Sequence, residues 1–206
     1  MAITINGTGT ITGISAGGLP DNCVTAADLA TTLDLSSNTV TLPSGTGGKI
    51  LQVQSTTKSD TFSAQLTSET DITGMSVNIT PSSTSSKVLV MVTMSFAVQT
   101  SHVSTGIYIY RDSTKIYLGD VNNSNHRTSY SPTGDYTFSY SPGNASMTHL
   151  DSPATTSQVT YKVAVDDVYT TDTIFRLNRG NNDDASYTTN LYAVTASSIT
   201  AIEVAG

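Results

Sequence analysis

The sequence is poor in charged residues, in glutamate and in cysteine, and each shortage excludes a class of protein. Only 12% of its residues are charged, against roughly 25% in an average soluble domain. Glutamate occurs only at Glu69 and Glu203, so the usual material of surface helices is scarce. The single cysteine, Cys23, excludes an internal disulfide framework. The net charge of −7 leaves no basic patch for phosphates, and we expect no nucleic-acid partner.

Targeting signals are also lacking. The N-terminal run MAITINGTGTITGIS has neither the basic start nor the apolar core of a signal peptide. No apolar run is long enough to span a bilayer, so we expect no membrane insertion. We therefore expect synthesis in a host cytoplasm, although the polar, Thr-rich surface is typical of proteins that work outside cells. This combination favours a virion component that is released by lysis.

What the sequence has in abundance is Ser and Thr, 64 in all, and strictly alternating apolar residues. The run Lys87–Gln99 places apolar residues at every even position, which predicts a long central strand on a core. Its second face begins apolar, at Leu89 and Met91, and turns polar from Thr93. We therefore expect both faces to be covered at the start of this strand and only one face further on. Ile50, Leu51 and Val53 add to this surplus of apolar residues, which exceeds what one small sandwich needs to bury.

Short apolar segments with turn residues between them continue along the chain from Lys49 to Gly206. This pattern predicts an all-β fold, a jelly-roll-like antiparallel β-sandwich over residues 49–206. The expected strands are Ile50–Gln54, Thr61–Leu66, Met75–Thr80, Lys87–Gln99, Gly106–Arg111, Lys115–Leu118, Tyr136–Tyr140, Ser146–Leu150, Gln158–Val165, Thr173–Asn178 and Ile199–Val204.

Residues 1–48 form a separate segment in this interpretation. Thr25 and Asp28 have the spacing of a capping box, and Val24, Leu29 and Leu33 follow as a narrow apolar stripe. These residues predict a small helix that is marginal by itself and needs a partner surface, either its own domain or, favoured at least equally, other copies of the chain. The flexible joint Pro43–Gly48 then predicts the boundary between an attachment and trimerisation segment and the sandwich.

No constellation of residues demands an enzyme, a cofactor or a metal. The three histidines, His102, His126 and His149, lie in different segments without ligand spacing. The doublets Asp166-Asp167 and Asp183-Asp184 are the only acidic clusters. They leave open a depolymerase that uses two carboxyl groups, or a Ca²⁺ site at residues 181–184, but solvated loop carboxylates are the favoured interpretation.

Tyrosines are the best candidates for a binding surface. Tyr108 and Tyr110 share one strand face, and we favour a role in covering the outer sheet or in packing between subunits. Two long connections, Asp120–Asp135 and Gly180–Ser197, are rich in Asn, Ser and Tyr and are expected to be exposed functional loops. We predict a receptor-facing rim formed by Tyr130, Tyr187, Asn125 and Asn182.

Several runs resemble the carboxy-terminal domain of tail-fibre-like proteins of marine and cyanobacterial phages. The most characteristic are Lys49-Ile-Leu-Gln-Val-Gln54, Asp71-Ile-Thr-Gly-Met-Ser-Val77 and the run from Ile79 to Val90. Leu150-Asp-Ser-Pro153, Arg176-Leu-Asn-Arg179 and the ending Ala196–Val204 are similar as well, in the same order. The resemblance implies a homotrimeric virion appendage that ends in a β-sandwich, and it supplies no catalytic residues.

Together these patterns predict a non-enzymatic virion structural protein, a trimeric fibre or appendage that mediates adsorption to the host surface. The expected partners are other copies of the chain, another virion protein bound through residues 1–48, and a host-surface glycan or protein. The alternative is a capsid-decorating head fibre or knob with a purely architectural role. No cofactor and no metal are expected.

Overall fold

The computed structural model describes residues 49–99, 105–132, 142–168, 173–181 and 193–206. These residues belong to one unit, Gly48–Gly206, and the predicted N-terminal helix lies outside them. The described part is all-β, which confirms the predicted fold class, and it contains ten strands. They are β1 Ile50–Lys58, β2 Phe62–Gln65, β3 Thr70–Ile79, β4 Lys87–Gln99, β5 Thr105–Arg111, β6 Thr114–Ile116, β7 Gly143–Asp151, β8 Val159–Asp167, β9 Ile174–Leu177 and β10 Ser197–Val204.

The strands form two antiparallel sheets that pack as a sandwich. The six-stranded sheet has the order β1-β10-β4-β9-β2, and β7 pairs with the other edge of β4. The four-stranded sheet has the order β3-β8-β5-β6. The chain passes repeatedly from one sheet to the other, as in a jelly roll. The predicted strand Tyr136–Tyr140 falls outside the described residues, and each of the other ten expected strands overlaps an observed one.

The core lies between the sheets and is formed by alternate residues of each strand. In β4 all six even positions, Val88 to Val98, are at most 3% exposed, as the alternation predicted. The facing strands β5 and β8 contribute Ile107, Ile109 and Val163, which are fully buried. Burying an aliphatic side chain of this kind stabilises a fold by about 1.5–3 kcal/mol, so this inner face fixes which way the central strand lies.

The second face of β4 differs from the expectation. In the single chain, Met91 near the start of β4 is 42% exposed, whereas Ser95 and Ala97 further along are buried. The prediction that only one face is covered at the far end was therefore wrong. Side chains of β9 and of the turn after it lie against this end of β4. Arg176 pairs with Ala97 on this face and donates to Gln99, and the Asn181 side chain donates to the Val98 carbonyl at 2.8 Å.

Candidate interaction surface

The outer face of the six-stranded sheet presents a straight line of aliphatic side chains. Val53 pairs with Ile202, Ile202 pairs with Leu89, and Leu89 pairs with Leu150. Directly paired residues point to the same side of a sheet, so the four side chains cross four neighbouring strands in one row. We call these four residues the apolar row. Val53 is 55% exposed and Leu150 is 48% exposed, while Leu89 and Ile202 are partly buried.

Further apolar residues flank the row at the same end of the sheet. Ile50 pairs with Val204 and is 62% exposed, and Leu51, at the irregularity that follows Ile50, is 47% exposed. Met91 lies two residues beyond Leu89 and is also exposed. Together these residues form an exposed patch on the order of several hundred Å², a size at which the largest patch on a monomer is often functional.

The next two rows of the same face carry hydroxyl groups and no charge. One row contains Ser55, Thr200, Met91 and Thr148, and the following row contains Thr57, Ser198, Thr93 and Ser146. The hydroxyls of Ser55 and Thr200 lie 2.8 Å apart and hydrogen-bond across the strands. Three successive rows are thus free of ionisable side chains in a chain whose net charge is −7. Depletion of charge with exposed aliphatic groups is typical of the centre of a protein–protein interface.

The outer face of the four-stranded sheet has the opposite character, because charged groups cover its tyrosines. The ammonium of Lys115 lies 3.8 Å from the centre of the Tyr108 ring, and Tyr108 is only 3% exposed. Burial, followed by the nearby Asp166 and Glu69 carboxylates, raises the pKa of Tyr108 to about 12. The Tyr108 ring also folds back over Gly106, where a Cβ atom would lie only 2.9 Å from its hydroxyl.

Tyr110 is held on the same outer face by a carboxylate. Its hydroxyl donates to Glu69, which also pairs with Lys115 at 2.5 Å. Burial, and next the hydrogen bond to Glu69, raises the pKa of Tyr110 above its ordinary value. Both tyrosines therefore cover their own sheet within one chain, which is one of the two roles that the sequence favoured.

The predicted receptor residues are only partly within the described chain. Tyr130 packs its ring edge-on against Phe96, with centroids 6.4 Å apart, and its backbone pairs with Ile107. Its side chain is thus partly a core group. Asn125 is exposed, and its N–H donates to the Asn122 carbonyl at 3.1 Å. Tyr187 and Asn182 lie outside the described residues, so a common rim for all four residues stays a prediction.

The acidic residues and histidines that were considered for a catalytic or metal site differ in burial or fall outside the described residues. Asp166 is partly exposed beside Gly106, whereas Asp167 is buried and accepts a hydrogen bond from Thr173. Burial and the Glu69 carboxylate raise the pKa of Asp166. His102 and the doublet Asp183-Asp184 lie outside the described ranges. Within these ranges, no group of three or more His, Cys, Asp or Glu side chains is placed to hold a metal.

Sequence reasoning identified part of the apolar surface and missed the rest. Five residues stood out because they exceed the apolar surface that one small sandwich needs to bury, namely Ile50, Leu51, Val53, Leu89 and Met91. Leu150 and Ile202 did not, because only the strand register aligns them with Leu89.

In the part of the chain that the structure describes, no helix is long and apolar enough to cross a membrane. No protein-family model and no curated protein matches this sequence.

Proposed function

We propose that this chain is a non-enzymatic structural protein of a phage virion, a homotrimeric appendage whose sandwich, residues 49–206, is the exposed head. The apolar row on the outer face of the six-stranded sheet is the single observation that supports it best. Its outer members Val53 and Leu150 are about half exposed, and they gain stability when another copy covers them, at about 25 cal/mol per Å² of apolar surface removed from water.

The occupant we propose for this face is another copy of the same chain. Two copies that each carry a net charge of −7 repel one another, and the three rows without ionisable side chains are where close approach costs least. The hydroxyl rows next to the apolar row supply donors and acceptors that can pair with the same groups on a neighbour. Residues 1–48 are proposed to add to trimerisation and to bind another virion protein.

Light scattering on the purified chain tests the oligomeric state. We expect a trimer at micromolar concentration, and monomers of 21.6 kDa for Val53→Asp and Leu150→Asp, because each places charges in the interface. Val121→Asp changes a residue that is 73% exposed outside the apolar row, and it should stay trimeric. A monomeric wild type, or trimers of both row variants, would contradict this assignment.

Adsorption to a host surface is the proposed role of the head. Antibody labelling of phage particles that carry this chain, viewed by electron microscopy, tests that role directly. Label at the distal tail supports adsorption, label on the capsid supports the decorating knob or head fibre, and unlabelled particles rule out both. Asn125→Ala is a cleaner adsorption variant than Tyr130→Ala, because the Tyr130 ring also packs against Phe96.

A further inference from the structure

Tyr117 has an unusual backbone conformation for a large exposed residue. It follows strand β6 with φ of 56° and is 43% exposed. The other non-glycine residues with positive φ in the described ranges are Asp112, Asn123, Ala154 and Asn178, which are all small or able to bond their own backbone. A bulky residue in this region costs of order 1–3 kcal/mol, and such costs concentrate at functional sites. An Asn or Gly at position 117 would make the same turn at lower cost.

His149 supports the Tyr117 ring from one side. The two ring centroids lie 5.3 Å apart with an interplanar angle of 35°. Tyr117 directly follows β6, an edge strand of the four-stranded sheet, whereas His149 belongs to β7, an edge strand of the six-stranded sheet. The contact therefore fixes the ring across one side of the sandwich while a large part of it stays accessible. A ring that is held in place loses little conformational entropy when a ligand binds it.

The loop that follows Tyr117 places amide groups close by in the chain. The N–H of Gly119 donates to the Thr128 carbonyl at 3.4 Å, and Arg127 Nε donates to the Gly119 carbonyl at 2.5 Å, so the ends of the loop are tied together. Between them Asn122, Asn123 and Asn125 are all exposed. Compact surface loops with closed ends are frequently functional.

We propose that Tyr117 and this Asn-rich loop bind a saccharide. The C–H face of a pyranose ring is apolar and matches the exposed aromatic ring, while its hydroxyls match Asn amides, which both donate and accept hydrogen bonds. A single exposed ring, two residues before an Asn-rich loop, fits a small polar ligand better than a protein partner, which needs a wider apolar centre. The inference rests on the proposed adsorption function and names the chemistry of the receptor.

Saturation-transfer NMR on the full chain tests the site, with lactose, maltotriose, chitotriose and a sialylated lactose as probes at millimolar concentration. We expect at least one probe to bind wild type and Tyr117→Phe equally within about threefold. Tyr117→Asn should lose at least tenfold in affinity, equivalent to about 1.4 kcal/mol. Gln158→Ala, which changes an exposed residue outside this loop, should bind as wild type does.

The melting temperature separates a binding role from a structural one. Because Asn adopts positive φ readily, Tyr117→Asn should melt at the wild-type temperature or above it. A fall of more than about 4 °C would show that Tyr117 stabilises the fold and would overturn the proposal. Failure of all four probes, or unchanged binding by Tyr117→Asn, would also overturn it. Light scattering and antibody labelling test the trimer and its position on the particle independently of saccharide binding. A failure here therefore leaves the proposed function standing.

Discussion

Glu203 and Ser82 are joined by two hydrogen bonds to a single carboxylate oxygen. Oε1 of Glu203 accepts from the backbone N–H and from the hydroxyl of Ser82, each at 2.7 Å. Oε2 accepts from the side-chain amide of Gln52 at 2.6 Å. Glu203 lies on the inner face of β10 and is inaccessible to solvent. Burial raises the pKa of this carboxyl, but the hydrogen bonds from Gln52 and Ser82 outweigh it and lower the pKa from 4.5 to about 2.

The lowered pKa predicts a pH-dependent contribution of Glu203 to stability. A carboxyl whose folded-state pKa is depressed stabilises the fold fully above its unfolded value and loses this effect as the pH falls. The loss should occur between about pH 4.5 and pH 2. Glu203→Gln should cost about 1–3 kcal/mol at pH 7 and flatten the dependence in this window, measured by urea unfolding. Asp120→Asn, which removes an exposed carboxyl, is the control, and an equal effect of both variants would contradict the prediction.

Asn178 directly follows β9 and connects it to β1, to the segment after β1 and to β4. Its side-chain amide donates to the carbonyls of Lys58 and Asp60, each at 2.8 Å, and its N–H donates to the Ser95 carbonyl at 2.7 Å. It is fully buried with φ of 63°. Asn178→Ala should lower the free energy of unfolding by about 2–4 kcal/mol, because buried carbonyls lose donors and alanine is strained there.

Asn178→Gly separates these two causes, since glycine adopts positive φ without strain. In chemical denaturation, Asn178→Gly should therefore lose about 1 kcal/mol less of the free energy of unfolding than Asn178→Ala does. Equal losses would show that only the hydrogen bonds matter at this position.

Asp151 ties the two sheets together through Tyr161 and Arg111. Its carboxylate accepts from the buried Tyr161 hydroxyl at 2.7 Å and from Arg111 Nη1 at 2.8 and 2.9 Å. Burial, then the hydrogen bond to Asp151, raises the pKa of Tyr161. Tyr161→Phe should cost about 2 kcal/mol in chemical denaturation, as expected for a buried bond to a charged group.

The control for Tyr161→Phe is Tyr110→Phe, which removes a hydroxyl–carboxylate bond on the more exposed outer face. It should cost less than about 1 kcal/mol, since solvent competes for the groups there. If the two variants lose the same free energy of unfolding, the buried hydrogen bond between Tyr161 and Asp151 stabilises the fold no more than an exposed one does.

Neighbouring positions of the central strand should respond oppositely to a new charge. Val92→Asp should prevent folding, because Val92 is fully buried and an unpaired charge in the core costs several kcal/mol. Thr93→Asp changes an exposed residue of the outer face, so the chain should fold with a normal β-type circular dichroism spectrum. If trimers form through this face, Thr93→Asp should weaken them. A folded Val92→Asp protein would contradict the assignment of the inner face.

Much of the fold could be predicted because strand structure is encoded locally. Alternation of apolar residues identified Lys87–Gln99 residue for residue and fixed which side of it faces the core. Turn residues such as Arg111-Asp112-Ser113 separated β5 from β6, and Asp112 indeed has positive φ. These signals need only the residues a few positions away, so the sequence alone determined the all-β class and the approximate strand limits.

Strand register and long-range contacts were decided only by the tertiary structure. The apolar row exists because β1 and β10, from opposite ends of the described chain, pair in a register that aligns Val53 and Ile202 beside Leu89. A shift of one residue would send those side chains to the other face, and no local pattern specifies that shift. The contact of Tyr130 with Phe96 and that of Tyr117 with His149 likewise join residues distant in sequence, which only folding brings near.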